Sequence, residues 1–203
     1  MRNKLSITRR SALVGSASLT LAVVTPGILV ALDDAQAAAL IERVVNDINA
    51  IISSGKSESA MLVDFESVFR KYADVPIIAR KSLGAEWRTA SASQRKRYTA
   101  AFQIYISHKY GRRFREFVGG KIVVTGSKVV KSGYLVSSMA HLTGEAPFAL
   151  DWQVSGKSGQ DKMFNIYIEG ISLLATERTE IAAMLDKRHG DIEKLIAALN
   201  ASG

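Results

Sequence analysis

The chain has 203 residues, a formal net charge of +8 and no cysteine. That length supports one domain with its own apolar core, and the missing thiols exclude disulfide stapling, cysteine nucleophiles and thiolate metal sites. The basic balance is compatible with nucleic acid, an anionic membrane surface or acidic partners, and does not choose among them.

Residues 1–37 read as an export signal peptide. Arg2, Lys4, Arg9 and Arg10 form a positive head, Ala12 to Leu32 a mildly apolar run, and Ala35-Gln36-Ala37 a small-x-small cleavage site. Thr8-Arg9-Arg10 resembles a twin-arginine export motif. A general secretory signal and an uncleaved anchor are the alternatives, the anchor disfavoured by Pro26 and Gly27 within the run. Cleavage after Ala37 removes those four cations together with Asp33 and Asp34, which leaves +6 on a single domain of residues 38–203.

Leu40, Ile41, Val44, Val45, Ile48, Ile51 and Ile52 recur every three or four positions and predict an amphipathic helix from Ala38 to Ser53. A second helix is predicted from Ser57 to Tyr72, with Phe65, Val68, Phe69 and Tyr72 inward, and a short third from Pro76 to Gly84. Ser91 with Gln94 makes a capping box for the longest helix, which runs to about Val118 and breaks or bends near Gly111. Lys109, Arg112, Arg113 and Arg115 surround that break, as a solvated face or a contact surface.

After Gly119-Gly120 the period changes from helical to alternating. Lys121–Val130, Tyr134–Thr143, Phe148–Ser155 and Lys162–Glu169 are predicted strands at hairpin spacing, with Leu150, Trp152 and Val154 on one face and Asp151 outward. In the last strand Phe164, Ile166 and Ile168 alternate with Asn165, Tyr167 and Glu169, and Gly170 ends the run. Thr176, Glu177, Thr179 and Glu180 then suit a helix entry, and Ala182–Leu185 and Ile192–Leu199 make two closing helices. The expected class is α+β: N-terminal helices and one long helix packed over a curved antiparallel sheet of about four strands, with closing C-terminal helices.

No catalytic constellation emerges. His108, His141 and His189 lie on different elements without metal-ligand spacing. Gly170-Ile171-Ser172 begins like a nucleophile elbow, but Leu174 stands where the second glycine belongs. Gly119-Gly120-Lys121 lacks both the first glycine and the Ser or Thr of a phosphate loop, replaced by Arg115 and Ile122. Glu66, Glu86, Glu169 and Glu180 offer carboxylates that sequence alone does not pair. The aromatics interleaved with basic residues from Arg95 to Phe117 mostly fall on the apolar stripe, and an exported protein rarely meets nucleic acid, so nucleic-acid binding is not expected.

Four stretches carry a family resemblance. Tyr72, Val75, Pro76, Ile78, Ala79, Arg80, Leu83, Gly84 and Trp87 fit a Y-x-x-V-P-x-I-A-R-x-x-L-G-x-x-W block. Ser91, Gln94, Phe102, Tyr110 and Arg113 fit a long-helix pattern, Asp151, Trp152 and Val154 a D-W-x-V strand, and Tyr167 to Ile181 an I-E-G-V-S signature followed by T-x-R-x-E-F. In this the chain resembles the MlaC family of periplasmic phospholipid carriers, also called toluene-tolerance auxiliary proteins. It departs from the pattern at Asn165, where the family usually has Asp, and matches loosely from Lys128 to Leu142.

The resemblance implies a non-enzyme without cofactor, whose apolar pocket between sheet and helices holds phospholipid tails and leaves the headgroup near solvent. It also implies work with an inner-membrane ABC transporter bearing an MCE-domain protein and with an outer-membrane lipoprotein complex; a monomer is expected. Two tails of about sixteen carbons lose roughly 25 kcal/mol when exposed to water, so enclosure must be almost complete. The inward faces nominate Phe69, Tyr72, Ile78, Phe102, Ile106, Tyr110, Trp152, Val154, Ile166 and Ile168 as pocket lining, with Arg80, Trp87 and Arg88 framing the mouth. The alternative is a periplasmic adaptor of the same fold whose interior is simply packed core.

Overall fold

The structure is a computed structural model that describes residues 32–113 and 120–202. The signal peptide expected over residues 1–37 falls largely outside these, as do the predicted C-terminal end of the long helix, Arg115 and Phe117.

Helix α1 spans Asp34–Ile52 and starts earlier than the periodicity suggests. Asp33 and Gln36 form a reciprocal capping box, Gln36 N donating to Asp33 Oδ1 at 2.7 Å and Asp33 N to Gln36 Oε1 at 2.9 Å. Ala35-Gln36-Ala37 is therefore the first turn of a helix, with Ala37 fully buried. Helices α2 (Glu58–Tyr72), α3 (Val75–Leu83) and α4 (Glu86–Thr89) follow. Helix α5 runs from Ala92 to Gly111, opened by the expected Ser91–Gln94 box.

The continuation expected to about Val118 lies outside the described residues, and α5 ends where the break was expected, at Gly111. A Cβ there would sit 2.7 Å from Leu62 Cδ2 and 3.3 Å from Phe65 Cδ2, so the missing side chain lets α5 lie close against α2.

The sheet is antiparallel with strands in chain order: β1 (Lys121–Val130), β2 (Gly133–His141), β3 (Phe148–Ser155), β4 (Lys162–Ile168) and β5 (Ile171–Ser172). It has five strands rather than about four, because Glu169 and Gly170 both adopt positive φ (49° and 77°) and close a two-residue hairpin. Ser172 then caps helix α6 (Leu173–Asp186), which begins well before the acidic residues taken for its entry. Helix α7 spans Ile192–Ser202.

A bulge in β4 also corrects the predicted alternation. Ile168 and Ile166 pair with Leu150 and Trp152, but Met163 pairs with Val154, which leaves Phe164 as the extra residue. Phe164 lies under Lys81 of α3, whose ammonium is 4.5 Å from its ring centre.

Two apolar clusters form the interior. One joins α1, α2 and the start of α3 to the sheet through Val44, Phe65, Val136, Trp152 and Val154. The other joins α3, α5, α6 and α7 through Leu83, Tyr98, Phe102, Ile181 and Leu199. Phe69 and Ile78 touch both clusters, which marks the seam between them. Among the described residues no helix is long and apolar enough to cross a membrane.

Candidate functional site: an apolar cavity at the seam

The seam holds a cavity of about 310 Å³ whose wall is overwhelmingly apolar. Its volume lies at the lower end of the range of roughly 300–1,000 Å³ for small-molecule sites, and is twice the ~150 Å³ apolar cavity that stays dry until a benzene-sized guest enters. Exposed Arg113 at the end of α5 and Glu145 in the β2–β3 turn lie on its rim.

Eight of the ten nominated lining residues meet there: Phe69, Ile78, Phe102, Ile106, Tyr110, Trp152, Ile166 and Ile168. Trp152 is fixed on the floor, its indole N–H donating to Ser138 Oγ at 2.9 Å while Ser138 donates to Leu150 O at 2.8 Å. Ile166 and Ile168, on the same face of β4, are only half buried because their outer surfaces open onto the cavity they line.

The structure does not bring Tyr72 and Val154 to the cavity wall. Tyr72 is buried with its hydroxyl turned to α1, donating to Asp47 Oδ2 at 2.8 Å. That bond, followed by the Lys71 ammonium, holds the Asp47 carboxyl below the usual range. Val154 is fully buried among the sheet and α1 cluster.

Arg80, Trp87 and Arg88 line a separate surface depression with Lys81, Arg178 and the first turn of α6. Trp87 packs edge-on against Tyr98, its ring 5.7 Å from the Arg95 guanidinium, and its carbonyl accepts from Arg95 Nε at 2.7 Å. Leu174 is common to this depression and the cavity.

Polar atoms are few on the wall: sequence reasoning named neither Ser107 nor, more consequentially, buried Glu177 as lining. It is 3% exposed on α6 and shares a stripe with Ile181 and Leu185 at four-residue spacing. That spacing, an acid in line with two apolar residues, was the available signal. Glu177 Oε1 accepts from Lys109 Nζ and from the Tyr110 hydroxyl, both at 2.6 Å, and Lys109 also donates to exposed Glu180.

Burial, and then the bond to Glu177, push the Tyr110 hydroxyl far above the ordinary tyrosine range. For Lys109 burial works downward, but the bonds to Glu177 and Glu180 outweigh it and leave the ammonium above its usual value. Among the described residues Glu177 Oε2 is the buried side-chain oxygen for which the protein supplies no hydrogen-bond donor. Leaving such a group unpaired costs about 1–3 kcal/mol, more when it is charged.

Asn165 is a further polar residue of the wall, and its amide is orientated by an obligate donor. Leu174 N reaches its Oδ1 at 3.0 Å, which turns Nδ2 toward Gln153 Oε1, also at 3.0 Å. With Ser172 Oγ on Ala175 N, two side chains thus cap the start of α6. Among the described residues no group of three or more His, Asp or Glu could hold a metal ion.

Comparison with known proteins agrees with this fold. A solved structure of a phospholipid-binding protein from Ralstonia solanacearum in complex with a phospholipid superposes with a TM-score of 0.69 over 82% of this chain and 96% of that one. At 21% identity this likeness shows a shared fold. The intermembrane phospholipid transport system binding protein MlaC of Haemophilus influenzae is 24% identical over 136 residues, 64% of this chain and 63% of the relative's length. The family model described as MlaC protein matches residues 42–201, most of the chain, and the chain belongs to that family.

Proposed function

We propose that this protein is a periplasmic phospholipid carrier, a non-enzyme that moves lipid between membranes as the soluble component of an ABC-transporter-linked pathway. The observation that carries the reading is the apolar cavity of about 310 Å³ at the seam of the two core clusters. A sealed void of that size costs roughly 7 kcal/mol at ~24 cal/mol per Å³, as much as many domains have in total. This one instead opens at its rim, and a wall of Phe, Ile and Trp side chains gains apolar burial when an acyl chain enters, at about 0.8 kcal/mol per buried CH₂. The alternative, an adaptor with a packed interior, has no use for this space.

The family's partners extend the proposal: an MCE-domain protein of an inner-membrane ABC transporter would exchange lipid with the carrier on one side, and an outer-membrane lipoprotein complex on the other. Export through residues 1–37 belongs to the same reading. The test is to purify the protein from the periplasm, extract it with organic solvent, and offer the delipidated form to phospholipid vesicles. Copurifying phospholipid and renewed uptake are expected. Their joint absence would overturn the proposal.

A further inference from the structure

We infer that Glu177 gives the cavity a headgroup preference, accepting a hydrogen bond through Oε2 from a primary ammonium on the bound lipid. The inference rests on the carrier reading and names a determinant of the cargo within it.

Three observations converge. Glu177 lies on the cavity wall and is almost fully buried, with Oε1 already holding Lys109 and Tyr110 while Oε2 has no donor from the protein. The pairing is also uneven: among the described residues Lys109 is shared between Glu177 and Glu180, so two carboxyl groups meet one ammonium. Finally, the position suits a headgroup rather than the end of a tail. Glu180, on the same ion-pair chain, is exposed, and Arg113, three residues beyond Tyr110, stands on the rim.

A zwitterionic headgroup answers both charges. Its phosphate would face the Arg113 guanidinium at the rim, while its ammonium reaches one layer down to Oε2. Glu145, also on the rim, disfavours a headgroup that is anionic overall. A primary ammonium carries N–H donors for Oε2, whereas a quaternary ammonium carries the same charge but has none, and its methyl groups would leave Oε2 unpaired.

The experiment uses the delipidated protein purified from the periplasm and vesicles containing equal amounts of phosphatidylethanolamine, phosphatidylcholine and phosphatidylglycerol with identical acyl chains. Bound lipid is recovered with the protein and quantified by mass spectrometry. Phosphatidylethanolamine should be enriched over phosphatidylcholine by about tenfold, the lower end of what a hydrogen bond to a charged group supplies. Glu177→Gln should return the bound ratio to that of the vesicles. Glu193→Gln, whose side chain pairs with Arg97 and does not line the cavity, should keep the wild-type preference.

A wild-type ratio that simply follows the vesicle composition would overturn the inference while leaving the carrier reading intact, and needs no variant to fold. Retention of the preference by Glu177→Gln would overturn it too. Failure to take up any of the three lipids would overturn the carrier reading and this inference with it.

Discussion

Replacing Ile166 by tryptophan separates a cavity built for a guest from a packed core, because the two predict opposite signs. Ile166 is half buried beside Trp152 on the cavity floor. If the space beside it is open, the larger side chain fills part of the 310 Å³. Filling about 60 Å³, the increment from isoleucine to tryptophan, recovers about 1.5 kcal/mol at ~24 cal/mol per Å³. For a chain of this length that raises Tm by roughly 3–6 °C. If the interior were solid, the same change would overpack it and cost about 1–3 kcal/mol. Scanning calorimetry of the delipidated proteins reads the sign, and vesicle uptake reads the consequence, since a filled cavity should load less lipid. A lower Tm with unchanged uptake would refute the reasoning.

Gly133 opens β2 at φ 137°, and a Cβ there would lie 2.1 Å from Val154 O; Gly133→Ala should therefore lose about 3 kcal/mol in urea melts. Asn165→Ala removes the cap on Leu174 N and should cost about 1–2 kcal/mol. Asn165→Asp, the residue usual in the family, should keep that cap at neutral pH once the Gln153 amide turns over, and lose its benefit in acid as the carboxyl protonates. Tyr98, Tyr110 and Lys109 all hold their protons more tightly in the fold than in the unfolded chain, burial being the leading cause for the tyrosines and the carboxylate bonds prevailing for Lys109. The unfolded chain therefore gives up protons first, and stability, level near neutrality, should fall as pH rises past about 10. Tyr98→Phe loses the 2.8 Å contact with Ser82 and about 1 kcal/mol at neutral pH, and should also make the alkaline decline shallower; an identical decline would contradict the assignment.

Much of the fold was legible because its signals are local. The Ser91–Gln94 capping box, the change to a two-residue period after Gly120 and the shared face of Leu150, Trp152 and Val154 all depend on residues close in sequence. The misplacements come from contacts that periodicity cannot see. Tyr72 sits on an inward stripe, yet its hydroxyl needs a partner and finds Asp47, 25 residues away, which pulls it off the cavity. Glu169 adopts a positive φ that is uncommon for glutamate, so the Glu169-Gly170 hairpin and the early start of α6 were hidden inside an apolar run. The bulge at Phe164 shifts the face of β4 without changing its composition. Arg80 lies on α3 and Trp87 and Arg88 on α4, which with Arg95 sets them on the neighbouring depression, and the rim falls to Arg113 and Glu145 instead.

The central claim is that the seam between the two core clusters houses a lipid. Mass spectrometry of the intact protein under native conditions, after purification without detergent, tests it most directly. The account predicts a population heavier than the polypeptide by the mass of a phospholipid, released on activation and reduced in the Ile166→Trp variant. A single species at the polypeptide mass, unchanged after incubation with vesicles, would contradict it.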